Sequence, residues 1–286
     1  RSALPALARL GRPLFAHPER VPRGGAEATD DDDPRSYAVY RASRPSRFEV
    51  EGVELLVRLA RDTGCAVHIG PLASRHALGA VRAARGEGLP VSVDTAPHYL
   101  GFAAELIGDG ETLHKVAPPI RGEEHREGLW QSLSEGTIDM IASSHTPVPP
   151  ALREGDFQRA FPGIASLQWV LPATWTEALS RGFGPVDIGR WLCRTPARRL
   201  GLDGRKGRLA AGYDADLVVW DPEAMFEVDD STWEHRHPGT PWNGRTLFGV
   251  VERTYVRGHR AFDRWSGVGE ALGRIVRRGE DVSADA

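Results

Sequence analysis

Cysteine is scarce. The chain has two in 286 residues, Cys65 and Cys193, which cannot make a disulfide framework and match no metal-ligand spacing, so both read as buried thiols. No apolar run approaches the roughly 18 residues that a membrane span needs, which leaves no membrane partner to expect and makes a cytoplasmic protein the default reading. Charge of one sign is not in excess either: the formal net charge of -3 argues against a nucleic-acid partner. The opening RSALPALARLGRPLF shows no cleavage region behind a hydrophobic segment. Arg1 stands first and the chain runs directly into helix and strand, so the expectation is that something upstream is missing. What is present is 41% hydrophobic and 26% charged, enough for one large domain and a smaller one. No internal repeat is visible, and the only low-complexity segment, DDDD at 30 to 33, reads as a solvated loop.

Apolar periodicity organises the first two thirds. PLFA at 13 to 16 is a short strand ending at His17. Val53, Leu56, Val57 and Ala60 recur at helical spacing until Gly64 stops them. CAVHIG at 65 to 70 is the next strand, Ala77, Val81 and Ala84 mark a helix closed by Gly86 and Gly88, and VSVDT at 91 to 95 alternates as a strand. A helix near 126 to 134 precedes a strand at 138 to 142. This alternation implies right-handed crossovers and parallel pairing. Four parallel strands are half of an eight-stranded barrel. Past residue 164 helical segments run to about 200, after which KGRLAAGYDADLVVWDP and FGVVERTYVRG read as antiparallel β structure. A boundary near 203 separates a barrel portion, 1–203, from a β-sandwich segment and tail, 204–286.

In a parallel α/β barrel the working groups sit at the carboxyl ends of strands. That selects His17, the segment at Gly70 and Pro71, Asp94 to His98, and Ser143 to His145. The last lies in IDMIASSHTPVPP, which offers two serines where a carboxylate would serve best. Asp94 and Thr95 could orient neighbours or cap the turn that follows. His68, an odd offset from Pro71, reads as a histidine packed beneath a helix.

Seven segments in register carry a resemblance: SRP (43–45), VDTAPHYL (93–100), KVAPPIRGEEHREGLW (115–130), IDMIASSHTPVPP (138–150), GDFQRAFPGIASLQ (155–168), KGRLAAGYDADLVVWDP (206–222) and the closing HRHPGTPWNGRTLFGVV. Together they resemble the allantoinases, cyclic amidohydrolases related to dihydropyrimidinases and dihydroorotases. The resemblance implies a (β/α)8 barrel of TIM type with a small β-sandwich, of which this chain would be the second half. It further implies hydrolysis of the cyclic amide of allantoin, a small cyclic ureide, and often a homo-oligomer. Such enzymes hold two divalent ions of zinc type with an HxH pair, a carbamylated Lys, two further His and an Asp. The ions lower the pKa of a bridging hydroxide and polarise the amide carbonyl, and the Asp shuttles the proton.

Carried over residue by residue, the resemblance makes His17, in FAHPER, the fifth-strand metal ligand, with Glu19 keeping an acid nearby. The sixth-strand ligand position falls on Pro71 and the eighth-strand Asp position on Ser144. HxH and the Lys are expected upstream of residue 1. Proline has no side-chain donor and a serine hydroxyl is neither a good ligand nor a base, so the ions are not expected to be retained; open catalytic sites use about three protein ligands. His145 is the candidate replacement base, although as the neighbour of Ser144 it should face the other way. Backbone groups at Ala117 and Gly163 are the ring-binding points, with Pro162 where a Gly is usual. Ala96 and Val116 replace cysteines and need mean only repacking. Gly212 and Asp214 turn the chain into a strand in which Leu217, Val219 and Trp220 suit burial. A half barrel leaves the strands ending at His17 and before Ser144 as open edges, which predicts self-association. Three functions compete: an allantoinase-type hydrolase, a degenerate homologue acting as a binding or assembly subunit, and a hydantoinase- or dihydroorotase-type enzyme.

Overall fold

Residues 2–21, 33–229 and 231–276 are described in the computed structural model. The acidic run therefore falls, but for Asp33, outside the described residues. Helix α1 (Leu4–Arg9) leads to β1 (Leu14–Ala16), then α2 (Tyr37–Ser43) and α3 (Arg47–Thr63) precede β2 (Val67–Ile69). Helix α4 (Leu78–Gly86) leads to β3 (Val91–Thr95), and α5 (Pro97–Gly101) and α6 (Glu123–Ser134) to β4 (Met140–Ile141). Helix α3 forms because Phe48, Gly52, Val53, Leu56, Val57 and Ala60 fall on one buried face. It ends where Gly64 takes the left-handed conformation, φ 66°, and its N–H reaches Ala60 O at 2.8 Å.

The four strands pair in parallel in the order β1-β2-β3-β4. Leu14, Val67 and Val91 stand side by side, as do Asp94 and Met140. Val67, Ile69, Val91 and Val93 join Val53, Val57, Val81 and Ala84 in the core under the helices. The opposite face holds Phe15, His68 and Ser92 in register. Two expectations change here. All five residues of β3 are buried, because both faces of a parallel sheet are covered, so its alternation is not that of a half-exposed strand. His68 is buried on the face away from the helices, not beneath one.

The edges of this sheet differ. Among the described residues β1 pairs only with β2, and Phe15 is 52% exposed. Beyond β4 the edge is continued: His145 bridges Ile164 in parallel, and Thr146 N donates to Ile164 O at 2.8 Å. That bridge lies past Ser144; among the described residues β4 itself pairs only with β3, so both outer strands have one strand neighbour.

Helices α7 (Val170–Leu179), α8 (Pro185–Gly189) and α9 (Thr195–Leu200) follow. A second, antiparallel sheet contains β5 (Leu217–Glu227), β6 (Thr246–Val256), β7 (His259–Asp263) and β8 (Gly267–Val268) in that order. It packs on α7: Trp175 Nε1 donates to Pro222 O at 2.9 Å, and Phe248 N donates to Thr176 Oγ1 at 2.8 Å. Strand β5 is not the buried strand expected. Val218 and Val219 are both more than two fifths exposed, while Trp220 packs edge-on against Trp175; between Val219 and Trp220 the register shifts, leaving Glu252 of β6 without a partner on β5. Cys193 is likewise exposed rather than buried, on the outside of the Arg190–Arg194 turn, whereas Cys65 is buried. Ala96 and Val116 are both buried, consistent with aliphatic repacking.

Candidate active site

The ladder sets the candidate residues out along one end of the sheet. Gly70 N donates to Ala16 O, Leu72 N to Asp94 O and Ala142 N to Thr95 O, at 3.1, 2.9 and 2.9 Å. His17, Pro71 and Ser143–Ser144 accordingly follow their strands at the carboxyl end.

His17 is exposed, yet both its nitrogens are engaged. Glu19 N donates to Nδ1 at 3.3 Å, so the proton sits on Nε2, which donates to Ala117 O at 3.0 Å. The candidate metal ligand and a candidate ring-binding point are therefore bonded to each other. Glu19 ion-pairs with Arg44 instead of facing a ligand.

The other ring-binding point joins the same segment. Gly163 N donates to Lys115 O at 2.8 Å. Glycine is required there: a Cβ would lie 2.5 Å from Thr146 O and 2.8 Å from Val148 Cγ2. Lys115 Nζ donates to Ala160 O at 2.5 Å and lies 5.1 Å from the Tyr40 ring centre. Burial lowers the Lys115 pKa. Three buried tyrosines hold the same loop by its carbonyls: Tyr40 to Val116 O at 2.8 Å, Tyr99 to Pro118 O at 2.7 Å and Tyr37 to Ile120 O at 3.0 Å. Behind it the fully buried Glu49 accepts from Arg121 Nη2 at 2.8 Å and from the Ala73 and Ser74 amides at 2.9 and 3.0 Å. Sequence reasoning missed these residues; YAVYRASRP carried two of the tyrosines, but no spacing tells which distant carbonyl a tyrosine will reach.

Pro71 follows Gly70, whose missing Cβ would meet the Asp94 carboxylate at 2.3 Å. Asp94 Oδ2 is 2.8 Å from His68 Nε2, and His68 Nδ1 is 2.7 Å from Ser92 Oγ. The chain Ser92–His68–Asp94 is buried, and Asp94 Oδ1 has no partner. Burial raises the Asp94 pKa against the lowering effect of His68. Thr95 does orient a neighbour, donating its hydroxyl to Leu72 O at 2.8 Å.

Ser144 adopts φ 47°, a left-handed conformation uncommon outside glycine, and turns the chain out of β4. His145 does not share its direction. Its Nδ1 accepts from Ser166 N and Leu167 N, both at 3.0 Å, so it caps the turn leading into α7. That leaves Nε2 as the protonated nitrogen and no free lone pair for a base. Its ring stands edge-on to His235 at 5.9 Å, a contact the sequence did not suggest.

The donors at these positions do not fit a pair of divalent ions. His17 Nε2 is a donor in use, Pro71 has none, and Ser144 offers only a hydroxyl. Among the described residues no group of three or more His, Cys, Asp or Glu side chains could hold a metal ion.

A family model described as "Amidohydrolase family" matches residues 47–261. The chain is 40% identical over 274 residues to the probable allantoinase of Oryza sativa subsp. japonica, covering 91% of this chain and 54% of that protein. It is 38% identical over 288 residues to the allantoinase of Arabidopsis thaliana, covering 96% of this chain and 57% of that one. The chain thus spans somewhat over half the length of these curated relatives. Among solved structures it superposes on a D-hydantoinase (dihydropyrimidinase) from Thermus sp. with a TM-score of 0.85 and 26% identity, covering 94% of this chain and 61% of that one.

Proposed function

The chain belongs to the amidohydrolase family, and from that premise we propose that it is the ring-binding half of an allantoinase-type cyclic amidohydrolase, the whole protein opening the cyclic amide of allantoin to give allantoate. The observation that carries this reading is the 38 to 40% identity to plant allantoinases across more than nine tenths of the chain. On it, β1 to β4 correspond to the fifth to eighth strands of a (β/α)8 barrel, 1–203 to the barrel portion and 204–286 to a β-sandwich segment and tail. A cytoplasmic homo-oligomer acting on a small cyclic ureide completes the reading.

The ring is received at the carboxyl ends of the strands by backbone groups. Ala117 O has a second lone pair beyond the one His17 uses, which suits a ring N–H; Gly163 N is committed to Lys115 O, so the carbonyl is the group Gly163 can offer a ring N–H. Backbone contacts of this kind tolerate the side-chain changes around them. The family's paired ions, of zinc type, find no matching donor set in these residues, so no step is drawn through them.

That disagreement favours a second reading, in which the protein binds a cyclic ureide without turning it over and serves as a binding or assembly subunit. Pro71 and Ser144 are substitutions within this chain, just past the strands that should carry ligands. One experiment separates the readings: the purified protein is incubated with allantoin, hydantoin and dihydroorotate in turn, and ring opening is followed by NMR. Preferential opening of allantoin supports the first. Saturable allantoin binding with no turnover supports the second, and preferential opening of hydantoin or dihydroorotate overturns the allantoinase assignment.

A further inference from the structure

The TPWNGR turn at 240–245 lies outside the candidate active site, and hydrogen bonds fix its shape. Thr240 Oγ1 donates to Ala165 O at 2.9 Å, Gly244 N to Val228 O at 2.8 Å and Arg245 N to Trp242 O at 2.9 Å. Gly244 allows the turn by taking φ 73°, a left-handed conformation. The turn delivers Trp242 and Arg245 to one cavity of about 260 Å³, whose other walls include Gly101 at the end of α5, Ala173 and Glu177 on α7, and Leu247 on β6.

Two opposite charges line this cavity without meeting. Arg245 is exposed and forms no ion pair among the described residues; its guanidinium carbon stands 4.5 Å from the centre of the Phe102 ring, which holds it by cation–π attraction. Glu177 has a different anchor. Its Oε2 accepts from Arg181 Nη1 at 2.8 Å, and among the described residues its Oε1 accepts no hydrogen bond. Ala173, Trp242 and Leu247, each under 5% exposed, make the remaining wall apolar.

This arrangement selects the charge of a guest. A simple anion drawn to Arg245 meets the Glu177 carboxylate in the same cavity, and a simple cation drawn to Glu177 meets Arg245. A neutral guest leaves both charges unmatched. A dipolar guest matches both. We propose that this cavity binds a small zwitterion of the α-amino-acid type, its carboxylate on the Arg245 guanidinium, its ammonium on Glu177 Oε1 and its carbon atoms against Trp242, Ala173 and Leu247. The guanidinium fork takes two carboxylate oxygens at once, and an ammonium brings three donors to a carboxylate oxygen that has lone pairs to spare. Because Arg245 and Glu177 each have their own anchor, the guest has no ion pair between them to break.

No residue of this site is used in the proposed ring hydrolysis. Glycine is the probe, with acetate and methylammonium as its separate halves. The purified protein is titrated with each at constant ionic strength, and the indole N–H resonance of Trp242 is followed by NMR. Glycine is expected to saturate with a midpoint on the order of 1–10 mM. Acetate and methylammonium are each expected to bind roughly tenfold more weakly or worse, and Arg245→Gln and Glu177→Gln are each expected to weaken glycine binding by about the same factor. Should one variant fail to fold, the other and the wild-type comparison of glycine with its halves decide. No saturation by about 100 mM glycine, either half binding as tightly as glycine, or unchanged affinity in a folded variant would each overturn the assignment. Allantoin is absent from every titration, so failure here and failure of the hydrolase reading remain separate results.

Discussion

His98 shows what one side chain can do to the pH response of this fold. It is fully buried in PHYL, its ring 4.2 Å from Tyr99, with neither nitrogen hydrogen-bonded. Burial drives its pKa from 6.5 down to about 3. The unfolded chain therefore binds a proton between these values that the folded chain does not. Stability from this residue is complete above pH 6.5 and is lost as pH falls toward 3, at a limiting slope of about 1.4 kcal/mol per pH unit. Replacing His98 by Leu, similar in volume and without ring nitrogens, is expected to remove that slope. Urea denaturation of both proteins at pH 7.5, 6 and 5 checks it, because the difference between them cancels Asp94 and Glu49, whose raised pKa values act in the opposite direction. At this scale the sequence tells which side chain stands at Pro71 and Ser144. It was not legible where a ring's partners decide: His17 and His145 read as ligand and base, and both turn out to be held by backbone.

The element that positions the candidate site is the loop from Lys115 to Arg121, and it is held from outside. Tyr37, Tyr40 and Tyr99 bond its carbonyls, Gly163 N and His17 Nε2 donate to Lys115 O and Ala117 O, and Arg121 anchors it to Glu49. Tyr40→Phe leaves the buried Val116 carbonyl without its donor, with an expected cost of about 1–3 kcal/mol. Thermal melting checks that. In the same variant allantoin affinity should fall while the far-ultraviolet circular dichroism stays native, since the loop moves but no helix or strand depends on it. An unchanged affinity would detach the loop from ring binding. Helix α3, closed by Gly64, was plain from its spacing, and so was the parallel pairing of the four strands. Strand β5 was misread because an apolar string does not show which of its side chains a neighbour will cover: Leu217, Val219 and Trp220 suit burial, yet Val219 is exposed and Trp220 alone finds Trp175.

At the scale of the molecule, β1 and β4 are the outer strands of the parallel sheet, each paired with one strand among the described residues. The edge at β4 is continued by the segment around Ile164, but among the described residues β1 has a neighbour on one side only, and Phe15 stands half exposed on it. Unprotected edge strands pair with other chains. The 286-residue chain is expected to elute as a dimer or larger in size-exclusion chromatography with light scattering, and Phe15→Lys to shift it toward monomer. A wild-type monomer with a cooperative melt would show that β1 is not an associating edge. Fold class and lineage were legible because seven segments keep their order and spacing over most of the chain. The edge-on contact of His145 with His235 was not, because the two lie 90 positions apart in the sequence and only the packing of two loops brings them together. The account rests most heavily on the claim that these residues keep the scaffold of the family without a donor set for its paired ions. Metal analysis of the purified 286-residue chain, after exposure to zinc and exhaustive dialysis, tests it most directly. Well under one divalent ion per chain is predicted, unchanged in His17→Ala; two tightly held ions per chain, lost on that substitution, would contradict it.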